Sequence, residues 1–126
     1  MSRAPDSRFR RENRVLRKAE FDLAFEAGWR AFASGLVIYL RDAGLGRPRI
    51  GLVTSRKFGN AVQRNRARRL LREAFRLEQG RLPPLDIVAL PQPGRFPGSC
   101  GEVRAALLDA IARARRNTPR PRPRAP

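Results

Sequence analysis

The sequence predicts an α+β fold: one mixed sheet with helices packed against it, in the order helix, two or three strands, helix, strand, helix. Three observations predict it. Apolar residues recur at spacings of three and four in separate stretches, the period of a helix buried on one face. Short runs rich in Val, Ile and Leu lie between those stretches and favour strands. The chain has 126 residues, enough to close one hydrophobic core. Helices and strands interleaved in one small core are most simply closed as a single layered sheet.

Residues 1–13 are polar, contain Pro5 and carry no apolar period, so a flexible basic arm is expected there. Ala19 to Gly28 follows as a helix, with Phe21 and Phe25 one turn apart on one face and Gly28 as the stop. Trp29 to Phe32 suits a short strand and Ala33-Ser34-Gly35 a turn. Leu36 to Arg41 is a stronger strand, whose alternation sets Leu36, Ile38 and Leu40 against Val37 and Tyr39. Asp42 to Pro48 is a loop by its glycines and proline, and Ile50 to Ser55 is the next strand.

From Asn60 to Leu77 the apolar residues Ala67, Leu70, Leu71, Ala74 and Phe75 mark an amphipathic helix, while Arg64, Arg68 and Arg72 form a second row. Asp86 to Leu90 is a buried strand stopped by Pro91 and Pro93. Glu102 to Arg115 is the last helix, with Val103, Ala106, Leu107, Ala110 and Ile111 on one face and Ser99 as its cap. A single domain is thus expected over residues 14–116. The alternating Pro and Arg of residues 117–126 predict a disordered tail.

The formal net charge is +17 at pH 7, with 28 Lys plus Arg, 11 Asp plus Glu and no His. Such a surface attracts a polyanion. The excess is clustered: residues 1–18 carry seven basic and two acidic side chains, residues 56–76 eight and one, and residues 113–126 six and none. A lone Cys100 and no His exclude an imidazole acid–base pair, a Cys/His zinc site and an intramolecular disulfide. The run Leu36 to Leu40 is five residues long, where a bilayer span needs about 20, and no apolar stretch follows the basic start. No membrane association and a cytoplasmic location are therefore expected.

Guanidinium groups at 64, 68, 69 and 72 can grip successive phosphates, each through two parallel hydrogen bonds. The competing reading is a solvated helix face. With Glu73 the sole acid in residues 56–76, like-charge repulsion favours an anionic partner, and phosphate contacts of this kind give affinity without sequence specificity. Phe21, Phe25 and Tyr39 are candidates either for base stacking beside a basic groove or for the core. Glu20, Asp22 and Glu26 are the nearest approach to an acidic metal cluster, but only Asp22 and Glu26 share a helical face, and a solvated surface is the simpler reading. The residues alone indicate binding of RNA or DNA without machinery for cutting it.

The run Ser55-Arg56-Lys57-Phe58-Gly59-Asn60-Ala61-Val62-Gln63-Arg64-Asn65-Arg66-Ala67-Arg68-Arg69-Leu70-Leu71-Arg72 closely resembles the signature of the bacterial ribonuclease P protein component. The resemblance extends upstream through Leu16-Arg17-Lys18, Phe21-Asp22 and Phe25, and covers roughly residues 14–112. It implies a four-stranded mixed sheet with three helices in the order α-β-β-β-α-β-α. It also implies a left-handed crossover around the basic helix, against the right-handed rule that holds for about 98% of such connections.

The implied function is that of an endoribonuclease subunit. The catalytic RNA subunit, with Mg2+ bound mainly through that RNA, removes the 5′ leader of precursor tRNA, and the protein binds the RNA and the leader. The implied partners are ribonuclease P RNA and precursor tRNA, with no small-molecule substrate, no protein metal site and no protein catalytic residue. Carried onto this chain, the RNA-binding set is Arg56, Lys57, Asn60, Arg64, Asn65, Arg66, Arg68, Arg69 and Arg72. The leader cleft is Phe21, Phe25 and Tyr39. Gln92 stands where the family often has an Arg before its Pro, which puts that contact in doubt. A structural RNA-binding protein of ribosomal or assembly type and a DNA-compacting protein would also account for the charge, but not for the motif.

Overall fold

Gly28 ends the first helix and turns the chain straight into the sheet, because a Cβ there would lie 2.3 Å from the carbonyl oxygen of Leu40. The computed structural model describes residue 14 and residues 17–117. Its elements are α1 (Lys18–Ala27), β1 (Trp29–Ala33), β2 (Leu36–Arg41), β3 (Arg49–Leu52), α2 (Ala61–Glu78), β4 (Asp86–Pro91) and α3 (Cys100–Arg116). A single 3-10 turn, Arg56–Phe58, precedes α2. The expected arm of residues 1–13 lies outside the described residues, as does the tail from residue 118 onward.

β1 and β2 form a hairpin whose two turn residues, Ser34 and Gly35, both have positive φ, +49° and +79°. That pair of dihedrals matches the twist of antiparallel strands. Gly35 is required twice over, since a Cβ on it would meet the backbone of Arg95 at 2.2 Å. The sheet order is β1-β2-β4-β3, with β2 and β4 antiparallel and β3 and β4 parallel. α2 is therefore the crossover that joins two parallel neighbours, and the α+β order expected from the sequence is the one found.

One sheet face carries the core. Leu36, Ile38, Leu40, Ile50 and Ile87 pack there with Leu71 and Phe75 of α2 and with Val103, Leu107 and Ile111 of α3. The other face receives α1, which touches β2 and β4 and buries Ala24 completely. Two buried acids pin the layers. Asp86 accepts from Arg49 Nε and Nη2, both at 2.8 Å, and from Arg41 Nη1 at 3.3 Å. Glu78, at the end of α2, accepts from Arg104 of α3 at 2.6 Å.

Most element ends fall within one residue of the sequence expectation, and three differences have a physical reason. β3 stops at Leu52 and not at Ser55: Val53 still donates to Ala89 at 3.0 Å, but Ser55 then accepts from Phe58 and the chain coils into the 3-10 turn. α3 begins at Cys100, two residues before Glu102, because Ser99 accepts from the Glu102 amide at 3.3 Å and so sets the cap position. Asn117, expected to open the tail, is instead fixed to the domain. Its amide donates to Ala114, and its Nδ2 donates to the carbonyl of Arg30 at 2.7 Å.

Candidate nucleic-acid interface

The basic helix starts from a reciprocal cap. Asn60 Oδ1 accepts from the Gln63 amide at 2.9 Å, and Gln63 Oε1 accepts from the Asn60 amide at 2.8 Å. The carboxamide oxygen of Asn60 is thus engaged in starting α2, and its NH2 group is what remains for a ligand. Gly59 leaves room for this arrangement, since a Cβ there would meet Gln63 Oε1 at 2.1 Å.

From that start, Ala67, Leu71, Ala74 and Phe75 turn into the core, and Arg64, Arg68 and Arg72 run along another side. Arg64 and Arg68 are half-buried, whereas Arg72 is exposed. The Arg72 guanidinium is partly desolvated and is repelled by Arg14 and Arg68, which lowers its pKa below the ordinary arginine value. Arginine remains charged at neutral pH even so, and this destabilised cluster of like charges is what a phosphate relieves. Arg68 is steadied by Asn65, whose Oδ1 accepts from Nη1 at 3.0 Å. Arg56, Lys57 and Arg69 are exposed.

Arg66, exposed like these three, also makes a contact within the fold. Its Nη2 donates to the carbonyl of Gly98 at 2.7 Å, and nearby Phe58 meets Phe96 edge to face with ring centroids 5.9 Å apart. Together these contacts tie the 3-10 turn and the start of α2 to the loop before α3.

The three aromatic residues are not in the core cluster. Phe25 and Tyr39 stand edge to face across the gap between α1 and β2, centroids 5.0 Å apart at an interplanar angle of 86°. Phe25 is 37% exposed, and Phe21 and Tyr39 are half-buried. Tyr39 therefore presents part of its ring on the α1 side of the sheet. β4 and β3 separate this groove from the basic row: Arg49 of β3 donates to Glu20 of α1 at 2.8 Å, and α2 packs against β3.

Two residues at these surfaces lie outside the set expected from sequence. Arg14 forms a parallel bridge with Ile50 of β3 and brings its charge within range of Arg72. No periodicity marks it, because the contact depends on where the chain enters the fold. Phe32 is 59% exposed on the same sheet face as Tyr39, and the alternation of β1 carries that signal.

Acidic side chains serve the scaffold. Glu20, expected as solvated surface, accepts from the Arg17 amide at 3.1 Å and from Arg49. Asp22 pairs with Lys18, Glu73 with Arg76 and Asp109 with Arg113. Among the described residues no group of three or more His, Cys, Asp or Glu is placed to hold a metal ion. No helix among them is long and apolar enough to cross a membrane.

A small α+β fold that carries both a row of guanidinium groups on one helix and a partly exposed aromatic pair defines a nucleic-acid-binding protein. The family model described as Ribonuclease P matches residues 9–115. The ribonuclease P protein component of Chromohalobacter salexigens is 41% identical over 91 residues, 71% of each chain. That of Cronobacter sakazakii is 44% identical over 87 residues, 68% of this chain and 73% of the relative. The ribonuclease P protein of Thermotoga maritima, a solved structure, superposes with a TM-score of 0.70 at 33% identity, over 79% of this chain and 96% of that one. The Staphylococcus aureus protein shares the fold with a TM-score of 0.70 at 24% identity, over 81% and 94%. The chain belongs to the ribonuclease P protein family, the protein component of an endoribonuclease holoenzyme.

Proposed function

We propose that this chain binds the catalytic RNA of ribonuclease P through α2 and holds the 5′ leader of precursor tRNA in the groove between α1 and β2, so assisting removal of the leader. The observation that carries this reading is the Phe25–Tyr39 pair, partly exposed between α1 and β2, in the same small domain as the row Arg64, Arg68 and Arg72 of α2, which packs against β3. An extended single strand needs both features: ring faces for its bases and cations for its backbone. The basic turn of Arg56 and Lys57, with the Asn60 amide group, supplies further phosphate donors at the start of α2.

The bond cleavage belongs to the RNA. The buried carboxylates of this chain are engaged with arginines, as Asp86 is with Arg41 and Arg49, which does not suit them to hold Mg2+. The metal belongs with the RNA. What the protein contributes is charge neutralisation where two RNA strands approach, and affinity for a leader that mature tRNA lacks. Both functions put it in the cytoplasm with its RNA partners.

The test is discrimination. In the holoenzyme, replacing Phe21, Phe25 and Tyr39 together by Ala is expected to remove most of the preference for precursor over mature tRNA. Unchanged discrimination would assign the three rings to packing alone.

A further inference from the structure

One end of the sheet is built from segments that carry no acid. Pairing sets Leu36 opposite Pro91 and Leu52 beside Ala89, so the β1–β2 turn, residues 53–60 and the loop 92–99 all emerge where β3 and β4 finish. The stretches 27–41, 49–72 and 87–101, from which this end is made, contain no Asp or Glu. Asp42 and Asp86 lie at the opposite end, after β2 and at the start of β4.

Arg95 stands in the middle of the acid-free end. Its neighbour Phe96 meets Phe58 of the 3-10 turn, while the Arg95 carbonyl lies so close to Gly35 that a Cβ there would approach it to 2.2 Å. Gln92 donates its amide to the Gly35 carbonyl at 2.8 Å and accepts from the Arg95 amide at 3.3 Å. The loop is thus held between the basic turn ahead of α2 and the tip of the β1–β2 hairpin. At that tip is a pocket of about 360 Å³ whose walls include Ala33, Ser34, Leu36, Gln92, Arg95 and Arg113. Ala33 and Leu36 belong to the core face of the sheet, which α3 covers, so the pocket lies on the side away from the groove between α1 and β2. Two guanidinium groups line it. Arg95 is exposed and pairs with no acid among the described residues, and Arg113 is shared with Asp109 at 3.3 Å.

We propose that this end of the sheet is a second contact with the catalytic RNA, whose backbone passes from Arg56 and Lys57 over the loop 92–98 and places a phosphate between Arg95 and Arg113. Guanidinium groups hold a phosphate through paired, charge-assisted hydrogen bonds, and the Ser34 hydroxyl beside them is a further donor. The occupant is the catalytic RNA and not the leader, because the leader groove is on the other sheet face. The loop is instead tied to the start of α2, by Phe58 and by the bond from Arg66 to the Gly98 carbonyl at 2.7 Å. This rests on the reading of α2 as the RNA-binding helix and extends that surface across the end of the sheet.

The experiment measures binding of the full-length catalytic RNA to the full chain over a salt series. Arg95→Ala is expected to weaken binding about tenfold and to flatten the salt slope by roughly one unit, the loss of one phosphate contact. Thermal unfolding stays unchanged, since the side chain is exposed. Arg95→Lys keeps the charge and recovers most of the slope. Asp109→Asn is expected to bind about threefold more tightly than wild type, because it frees Arg113 from its acid. A pair that serves only the fold would give no such gain. In the holoenzyme with precursor tRNA, iron–EDTA tethered at Pro93→Cys in a Cys100→Ser background is expected to cleave the catalytic RNA.

If Arg95→Ala and Asp109→Asn match wild type in affinity and slope while Arg64→Ala and Arg68→Ala weaken binding, the second contact is overturned and the reading of α2 stands. If all four match wild type, both are overturned. Tethered cleavage confined to the precursor tRNA would overturn the assignment to the catalytic RNA.

Discussion

Arg49 donates to Asp86 through both Nε and Nη2 at 2.8 Å, joining the first residues of the neighbouring strands β3 and β4. The same Nη2 reaches Glu20 of α1, so one guanidinium holds three elements together. The hydrogen bond to Asp86, followed by that to Glu20, raises the Arg49 pKa above its ordinary value against the opposing effect of desolvation. Asp86 is 1% exposed. Asp86→Ala is therefore expected to cost about 3–5 kcal/mol in urea unfolding, the usual cost of stranding a buried charge. A cost below about 1 kcal/mol would show that water replaces the carboxylate.

The arginines of α2 are expected to divide by function. Arg64→Ala and Arg68→Ala each weaken RNA binding and flatten its salt dependence, by roughly one unit of slope for each phosphate that is no longer neutralised. Arg66→Ala acts on the tie to Gly98 and is expected to lower stability by about 1 kcal/mol. Equilibrium binding from low to high salt, with thermal unfolding alongside, separates the two effects. An unchanged slope for Arg64→Ala and Arg68→Ala would return them to a solvated face.

Glu73 gives a pH-dependent check. The hydrogen bond from Arg76 is the largest influence on its carboxyl and holds its pKa below the usual carboxylate value, against a smaller opposing desolvation. A lowered folded pKa means that the pair stabilises the fold above the unfolded value of about 4.3, and that the contribution fades as pH falls through the folded value. NMR titration should find the Glu73 midpoint low, and Arg76→Gln should return it to the ordinary range. A midpoint unaffected by Arg76→Gln would break the assignment.

The helix and strand order was legible because each element signals itself locally. Leu71 and Phe75 keep helical spacing, Ile38 and Leu40 alternate, and Gly28 and Ser99 mark ends. The row Arg64, Arg68 and Arg72 was legible for the same reason. Long-range pairings were not. Nothing near Glu20 in sequence announces Arg49, and nothing near Arg66 announces Gly98, 32 residues away. Arg14 is brought to Arg72 by the path of the chain across β3, which no local pattern encodes. The short β3 escaped because Val53 and Thr54 have strand propensity, while their position ahead of α2 ends the pairing.

A role in ribonuclease P is decided by reconstitution with a bacterial ribonuclease P RNA at low magnesium, following cleavage of precursor tRNA. Added protein is expected to accelerate 5′-leader removal where the RNA alone is slow, with the product ending in a mature 5′ terminus. A cleavage rate that does not change with added protein would contradict the assignment.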